Sequence, residues 1–320
     1  MKSRVASVSV LVLLANAILL ADASYQSAAQ ITGGSLLATL SSGPLAHLTK
    51  DLGAPTTTIT MVHGNMKAVV TKDSTEVFDL DRGTITRIDT AKKTYTVMTF
   101  AQLQQMMANL PNQTAAAQAQ LRQMRGQGSQ PTLKTSYEAS VNNTGATKVI
   151  NGLTAQEQVV TLLMHVTDPS APPGSAGSTV TYTVTTDMWI APDPPEVKEI
   201  RDFDQRMSQK LMAGADLSAF QAGAAAAASA SAVGMAAMFG GRPGTSDAMT
   251  QMGKEVAKIQ GTHVLEIMKM SGSGPTANTG ATLMERTQQL SNFSHEAIPT
   301  SVFQVPSGFK QVPNPFERGR

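Results

Sequence analysis

The sequence contains no cysteine, few aromatic residues and few charged ones. The absence of cysteine excludes disulfides, thiolate metal sites and a cysteine nucleophile. Aromatic residues make up only 4% of the chain, which argues against stacking platforms for nucleic-acid bases. With 15% charged residues and a formal net charge of +2, the chain also lacks the basic excess of a nucleic-acid binder. We therefore expect no nucleic-acid partner.

The N-terminus has the organisation of a secretory signal peptide. Lys2 and Arg4 precede an uncharged, Val- and Leu-rich stretch, and Ala21-Asp22-Ala23 follows as a small-x-small cleavage site. A membrane anchor is the alternative, but the apolar core is shorter than the ~20 residues that span a bilayer. We predict a signal peptide over residues 1–23 with cleavage near Ala23, and no transmembrane anchor in the mature chain. Because disulfides are absent, we expect a bacterial protein that is periplasmic or secreted.

Short β-rich runs separated by turn residues dominate the chain from Thr56 onwards. Five such runs precede Phe100, over residues 56–62, 66–71, 75–80, 83–89 and 93–98. Their close spacing indicates an antiparallel meander, because parallel strands need long crossovers. At Phe100 the apolar period changes to that of a helix. Further strands are predicted over residues 132–139, 146–150, 154–167, 178–190, 261–270 and 280–290, with a second helix over residues 197–212.

An uncharged segment, residues 217–241, consists mostly of Ala, Ser and Gly. Its length would suit a bilayer, but these residues contribute little to membrane insertion compared with Leu or Phe. We interpret it as part of a helical or low-complexity insertion at about residues 205–258. The remainder of residues 24–320 is then expected to form a single exported domain.

Local motifs of catalysis are absent from the sequence. There is no Gly-x-Ser-x-Gly nucleophile elbow and no phosphate-binding loop, and the five histidines lack the spacing that lets two imidazoles meet one zinc ion. We therefore expect no enzymatic activity, no cofactor and no metal. A hydrolase whose site is assembled from distant residues is the weaker alternative.

Two of the predicted strands carry a continuous apolar face. In the strand over residues 178–190, apolar side chains alternate with threonines, as in a strand buried on one side. The chain is also rich in Met, which suits adaptable binding surfaces. These strands predict a surface for a hydrophobic ligand, and the candidate residues are Val160, Leu162, Met164, Tyr182, Val184 and Met188.

Four short stretches carry a resemblance to a known family. They are the hairpin ITRIDTAKKTYT at residues 85–96, Asn151-Gly152-Leu153, DMWIA at residues 187–191, and VFQVPSGFK at residues 302–310. In these stretches the chain resembles secreted bacterial proteins of domain-of-unknown-function family 4412, which are likened to the LolA/LppX-type lipoprotein and lipid carriers. The resemblance implies an α+β fold, with a strongly curved antiparallel β-sheet (a half-barrel) packed around helices, here with the Ala-rich insertion added.

The leading functional hypothesis is a non-enzymatic protein of the bacterial envelope. It is expected to bind a hydrophobic ligand on the concave face of its sheet, either a lipid or an apolar segment of an envelope protein. The alternative is a structural or protein-interaction module that contacts partners through its Thr-rich sheet face and its Ala- and Gln-rich segments.

Overall fold

The computed structural model describes residues 22–35, 53–106, 134–168, 179–212, 259–273 and 281–314. Residues 1–21 of the predicted signal peptide and residues 213–258 of the predicted insertion lie outside this part. The described residues form one mixed sheet of twelve strands. The strands are β1 (Asp22–Gly33), β2 (Thr56–His63), β3 (Met66–Val70), β4 (Ser74–Asp79), β5 (Thr84–Asp89), β6 (Thr94–Thr99), β7 (Lys134–Ile150), β8 (Leu153–Thr167), β9 (Thr179–Ala191), β10 (Thr262–Ser273), β11 (Thr282–Ser294) and β12 (Lys310–Gln311).

Strand β1, the first in the chain, lies in the middle of the sheet. The strand order is β12-β6-β5-β4-β3-β2-β1-β11-β10-β9-β8-β7, and every pair is antiparallel except β12 with β6. On one side β1 pairs with β2, from Asp22 opposite His63 to Ala29 opposite Thr56. On the other side it pairs with β11. Strand β1 therefore joins two meanders, β2–β6 and β7–β11, into one sheet.

Local turn chemistry explains why consecutive strands pair. Asn151 and Gly152, with φ of 49° and 81°, form the two-residue connection between β7 and β8, where Ile150 faces Leu153. Asn-Gly is the sequence that this tight, left-handed turn favours, since glycine adopts positive φ without steric cost. This hairpin sets the register of the two longest strands.

Helix α1 (Pro195–Met212) covers part of one face of the sheet. Its Ile200, Phe203 and Leu211 are buried, and Phe203 is completely inaccessible to solvent. They form the helix cluster with side chains from the sheet and from the helical residues 100–106, namely Ala23, Val62, Leu80, Ile85 and Phe100. The expected helices at about residues 100 and 197–212 are thus confirmed where the structure describes them.

The C-terminal segment covers the opposite face of the first meander. Ile298, and Phe303 at the end of the 3-10 helix Thr300–Phe303, are buried there. They pack against Ala68, Val77 and Ile88 in what we call the C-terminal cluster. The first meander therefore carries apolar packing on both of its faces.

The predicted α+β half-barrel packed around helices is wrong. The described residues form predominantly one open β-sheet, and α1 contacts mainly β1, β2 and β11. A helix is about 10 Å across, whereas neighbouring strands are about 4.8 Å apart, so one helix covers only two or three strands. One helix of this kind therefore covers only a small part of the twelve-stranded sheet.

The predicted strands are mostly confirmed, with two differences. Residues 132–139 and 146–150 were expected as separate strands, but they belong to the single strand β7, whose pairing shifts between Asn143 and Thr147. The second difference is β1, which the sequence did not suggest. It begins at Asp22, inside the predicted cleavage site, and Ala23 is fully buried.

Candidate ligand-binding site on the sheet

The six predicted ligand-binding residues lie on one face of the sheet. On β8 and β9, Leu162 is opposite Val184, and Met164 is opposite Tyr182. Tyr182 is partly exposed, whereas the other five are only 2–5% exposed: Val160, Leu162, Met164, Val184 and Met188. The predicted apolar face is therefore present, but most of its side chains are already buried.

This buried strip is packed by side chains of its own sheet. Leu162 and Val184 contact Met268 and Met270 of β10, in what we call the methionine cluster. Farther along the same strands, Val160 and Met188 pack with Ile190. None of the six predicted residues lines either cavity found among the described residues. The structure thus brings these residues together as core.

An open cavity of about 510 Å³ lies elsewhere on the same face, where β2, β1 and β11 run side by side. Its volume falls within the range of ~300–1,000 Å³ that is typical of ligand sites. The lining mixes hydroxyl, amide and apolar groups with one guanidinium: Tyr25, Ser27, Ala29, Gln30, Ile31, Ala54, Thr56, Thr58, Thr60, Arg286, Gln288 and Leu290. We call it the junction pocket, because it lies where β1 joins the two meanders.

The strand register connects the junction pocket to the predicted residues. Arg286 of β11 is opposite Met268 of β10, Met268 is opposite Thr186 of β9, and Thr186 is opposite Val160 of β8. Directly opposed residues point to the same side of a sheet. The pocket and the predicted apolar strip therefore share one face and are separated by β10.

Arg286 dominates the polar chemistry of the junction pocket. Its Nη2 donates a hydrogen bond of 2.7 Å to Oε1 of Gln288, and Nε2 of Gln288 donates one of 3.2 Å to Oγ of Ser27. Its Nη1 is buried 3.8 Å from Oε1 of Glu266, which is too far for a hydrogen bond, and has no hydrogen-bond partner among the described residues. The guanidinium is thus only partly satisfied by the protein.

Burial raises the pKa of two groups near the pocket: Glu266, beside the guanidinium, and Tyr25, in the pocket wall. It raises the pKa of Glu266, and the nearby Arg286 opposes this shift. Burial also raises the pKa of Tyr25, while a hydrogen bond with Thr60 opposes that shift. Tyr25 additionally packs against the helix cluster, so the pocket begins where the cover provided by α1 ends.

Other polar clusters hold elements together. Both guanidinium nitrogens of Arg201 on α1 bond the carboxylate of Asp193 at 2.7 and 2.9 Å, and the hydroxyl of Thr262 on β10 donates to the same carboxylate. These bonds hold the pKa of Asp193 below its usual range. His295 lies 3.1 Å from both Glu196 and Glu199 of α1.

Neither a cluster of metal-ligating side chains nor a membrane-spanning helix occurs among the described residues. No group of three or more His, Asp or Glu side chains within them could hold a metal ion. No helix in the same part of the chain is long and apolar enough to cross a membrane.

The chain matches no protein-family model, and no curated protein has a similar sequence. The resemblance to family 4412 therefore stays a prediction.

The residues of the junction pocket were not among those predicted from the sequence. On β1 the pocket is lined by Tyr25, Ser27, Ala29 and Ile31 and also by Gln30, and Gln26, Ala28 and Thr32 lie between or beside them. Because small and polar residues occupy both faces, hydrophobic alternation does not reveal this strand. In β11, the spacing of Arg286, Gln288 and Leu290 at every second residue was the one available signal.

Proposed function

We propose that this protein is a non-enzymatic binding protein of the bacterial envelope, whose ligand carries a hydrophobic chain and occupies the junction pocket. The observation that carries the proposal is a cavity of about 510 Å³ on the sheet face that also bears the buried apolar strip. A location outside the cytoplasm is supported by the charged, apolar and small-residue regions of the N-terminus.

The lining of the pocket supports a ligand of this kind. Ala29, Ile31 and Leu290 offer apolar contact, while Ser27 and Thr58 supply hydroxyl groups close by. A few placed polar groups in a partly apolar cleft are characteristic of small-molecule sites. The predicted strip around Val160 acts in this proposal as the rigid base of the face, not as the binding surface.

Native mass spectrometry of the protein purified from its own envelope tests the proposal. We expect a co-purifying lipid or fatty acid at a stoichiometry near one. Ala29→Leu, which narrows the pocket, should reduce that occupancy several-fold. Ala28→Leu is the matched control, because the neighbouring residue of β1 points to the opposite face of the sheet. An empty wild-type protein, or equal loss in both variants, would contradict the proposal.

A protein-interaction module is a second candidate, favoured by strand β7. This strand is 17 residues long and lies at the edge of the described sheet. Its residues 142–149 are exposed, including Val149 at 67%. Exposed edge strands are templates for pairing with another chain. If this hypothesis holds, Val149→Lys should abolish retention of an envelope partner in a pull-down, with pocket occupancy unchanged.

A further inference from the structure

We infer that Arg286 binds an anionic group of the ligand, a carboxylate or a phosphate, at the floor of the junction pocket. This inference rests on the proposed function, because it names the polar end of the ligand that the pocket would hold. The apolar residues of the lining suit a hydrophobic ligand. The chemistry of the guanidinium determines which class of hydrophobic ligand fits.

Arg286 is the one charged residue among the described residues that line the pocket. About one fifth of its side chain is exposed, so the group is accessible from the cavity although it is mostly buried. A buried cation in a partly apolar cleft attracts an anion more strongly than an exposed one, since less water screens it. Arg286 therefore favours a negatively charged group over a neutral one in the pocket.

The hydrogen-bonding capacity of Arg286 is not used up by the protein. A guanidinium has five N–H donors in a fixed planar arrangement, and Arg286 makes its side-chain bond to Gln288 through Nη2 alone. Nη1 makes no hydrogen bond among the described residues. A carboxylate or phosphate can accept two parallel bonds from one guanidinium. Such a ligand could bond the N–H groups that the cavity exposes, whereas the buried Nη1 would have to shift toward the cavity to take part.

Glu266 is the anion that could compete with a ligand for Arg286. Its Oε1 is 3.8 Å from Nη1, which is an ion-pair distance without a hydrogen bond. Burial raises the pKa of Glu266, which reduces the cost of protonating it when a second anion arrives. The guanidinium is charged in any case, and the loose pair orients it while an anion can still bind it.

The surroundings of Arg286 indicate an anion that carries an apolar chain. The hydroxyls of Ser27 and Thr58 line the same cavity and can donate to anionic oxygens. Leu290 and Ile31 also line it, and apolar side chains of this kind suit methylene groups. A free inorganic anion would use only the first of these features, whereas a fatty acid or a phospholipid uses both.

Isothermal titration calorimetry with three probes tests the inference. Decanoate carries the anion and the chain, decan-1-ol carries the chain alone, and inorganic phosphate carries the anion alone. We expect wild-type protein to bind decanoate about tenfold or more tightly than decan-1-ol, which is the scale of a hydrogen bond to a charged group. Phosphate should bind weakly.

Arg286→Gln should remove the preference for decanoate and leave binding of decan-1-ol within about twofold of wild type. Arg87→Gln is the matched control, because Arg87 is exposed on β5, away from the pocket. Since Arg286→Gln also removes the partner of Glu266, Arg286→Lys and Thr58→Val provide variants that keep the positive charge. We expect Arg286→Lys to retain part of the preference and Thr58→Val to weaken decanoate more than decan-1-ol.

The outcomes separate this inference from the proposed function. Equal binding of decanoate and decan-1-ol, both lost in Ala29→Leu, would overturn the anion site but keep the hydrophobic-ligand proposal. Binding of phosphate alone, lost in Arg286→Gln, would keep the anion site and contradict the hydrophobic ligand. A decanoate preference that survives Arg286→Gln in a protein with unchanged thermal melting would overturn the role of Arg286.

Discussion

The two meanders of this sheet are built alike but are stabilised differently. In the first, β2–β6, strands of 5 to 8 residues are covered on one face by the helix cluster and on the other by the C-terminal cluster. In the second, β7–β11, strands of 12 to 17 residues bury a methionine-rich strip. The comparison shows that separate elements cover the first meander, whereas the buried side chains of the second pack with side chains of neighbouring strands. The junction pocket lies where β1 joins these two regions.

The largest expected effect comes from breaking the cover of the first meander. Phe203 is completely buried beneath α1, and Phe203→Ala should lower the free energy of unfolding by about 3–5 kcal/mol, because it leaves a large cavity. Hydrogen exchange should accelerate most in α1 and in the strands that it contacts, β1, β2 and β11. Equal acceleration in β7–β9 would show that the two meanders unfold as one unit, which would contradict the view that they are stabilised separately.

The corresponding change in the second meander is Met164→Ala. Met164 is 2% exposed, and truncation should cost about 2–5 kcal/mol, measured by urea denaturation. We expect an effect at or below that of Phe203→Ala, since neighbouring methionines are flexible and can partly fill the space. Met164→Leu, which nearly conserves volume, should cost less than about 1.5 kcal/mol. If Met164→Ala were neutral, the strip would not be core.

A smaller effect is expected from the start of β1, which links the meanders. The carboxylate of Asp22 contacts His63 on β2 and accepts a hydrogen bond from the backbone N–H of Ile298. A chain beginning at Ser24 should therefore be less stable than one beginning at Asp22, by about 1–3 kcal/mol from the lost charge-assisted bonds. Thermal melting of both chains is the measurement. Identical melting temperatures would show that Asp22 and Ala23 are dispensable for joining the sheet halves.

The smallest effect concerns pH and the partly buried His263 of β10. Burial, assisted by the charge of Arg201, lowers the pKa of His263 below its usual range. In the unfolded chain a histidine titrates near pH ~6.5. The unfolded state therefore binds more protons than the folded one as the pH falls through that value, and stability decreases toward acid.

His263→Gln should reduce the loss of melting temperature between pH 8 and pH 5.5, a window above the titration of most carboxylates. A slope identical to that of wild type would mean that His263 is equally protonated in both states. The result reports on the second meander alone, because β10 belongs to it and carries the buried methionines Met268 and Met270.

Much of the strand structure could be predicted from the sequence. The runs between Thr56 and Thr99 appear as strands within one or two residues of their predicted ends, because turn residues and alternating side chains are local properties. The apolar face carrying Val160 and Val184 was also predicted correctly, since register follows from a period of two. Whether that face would be open to a ligand or filled depended on what packs against it.

The amino-acid sequence by itself determined the strands, their turns and which side of each strand is apolar, because these depend on residues a few positions apart. Only the tertiary structure decided that β1 lies between β2 and β11, since pairing of its small and polar residues depends on partners far away in the chain. That placement turns two meanders into one sheet in place of the expected half-barrel. It also assembles the junction pocket, whose walls come from residues 25–31, 54–60 and 286–290.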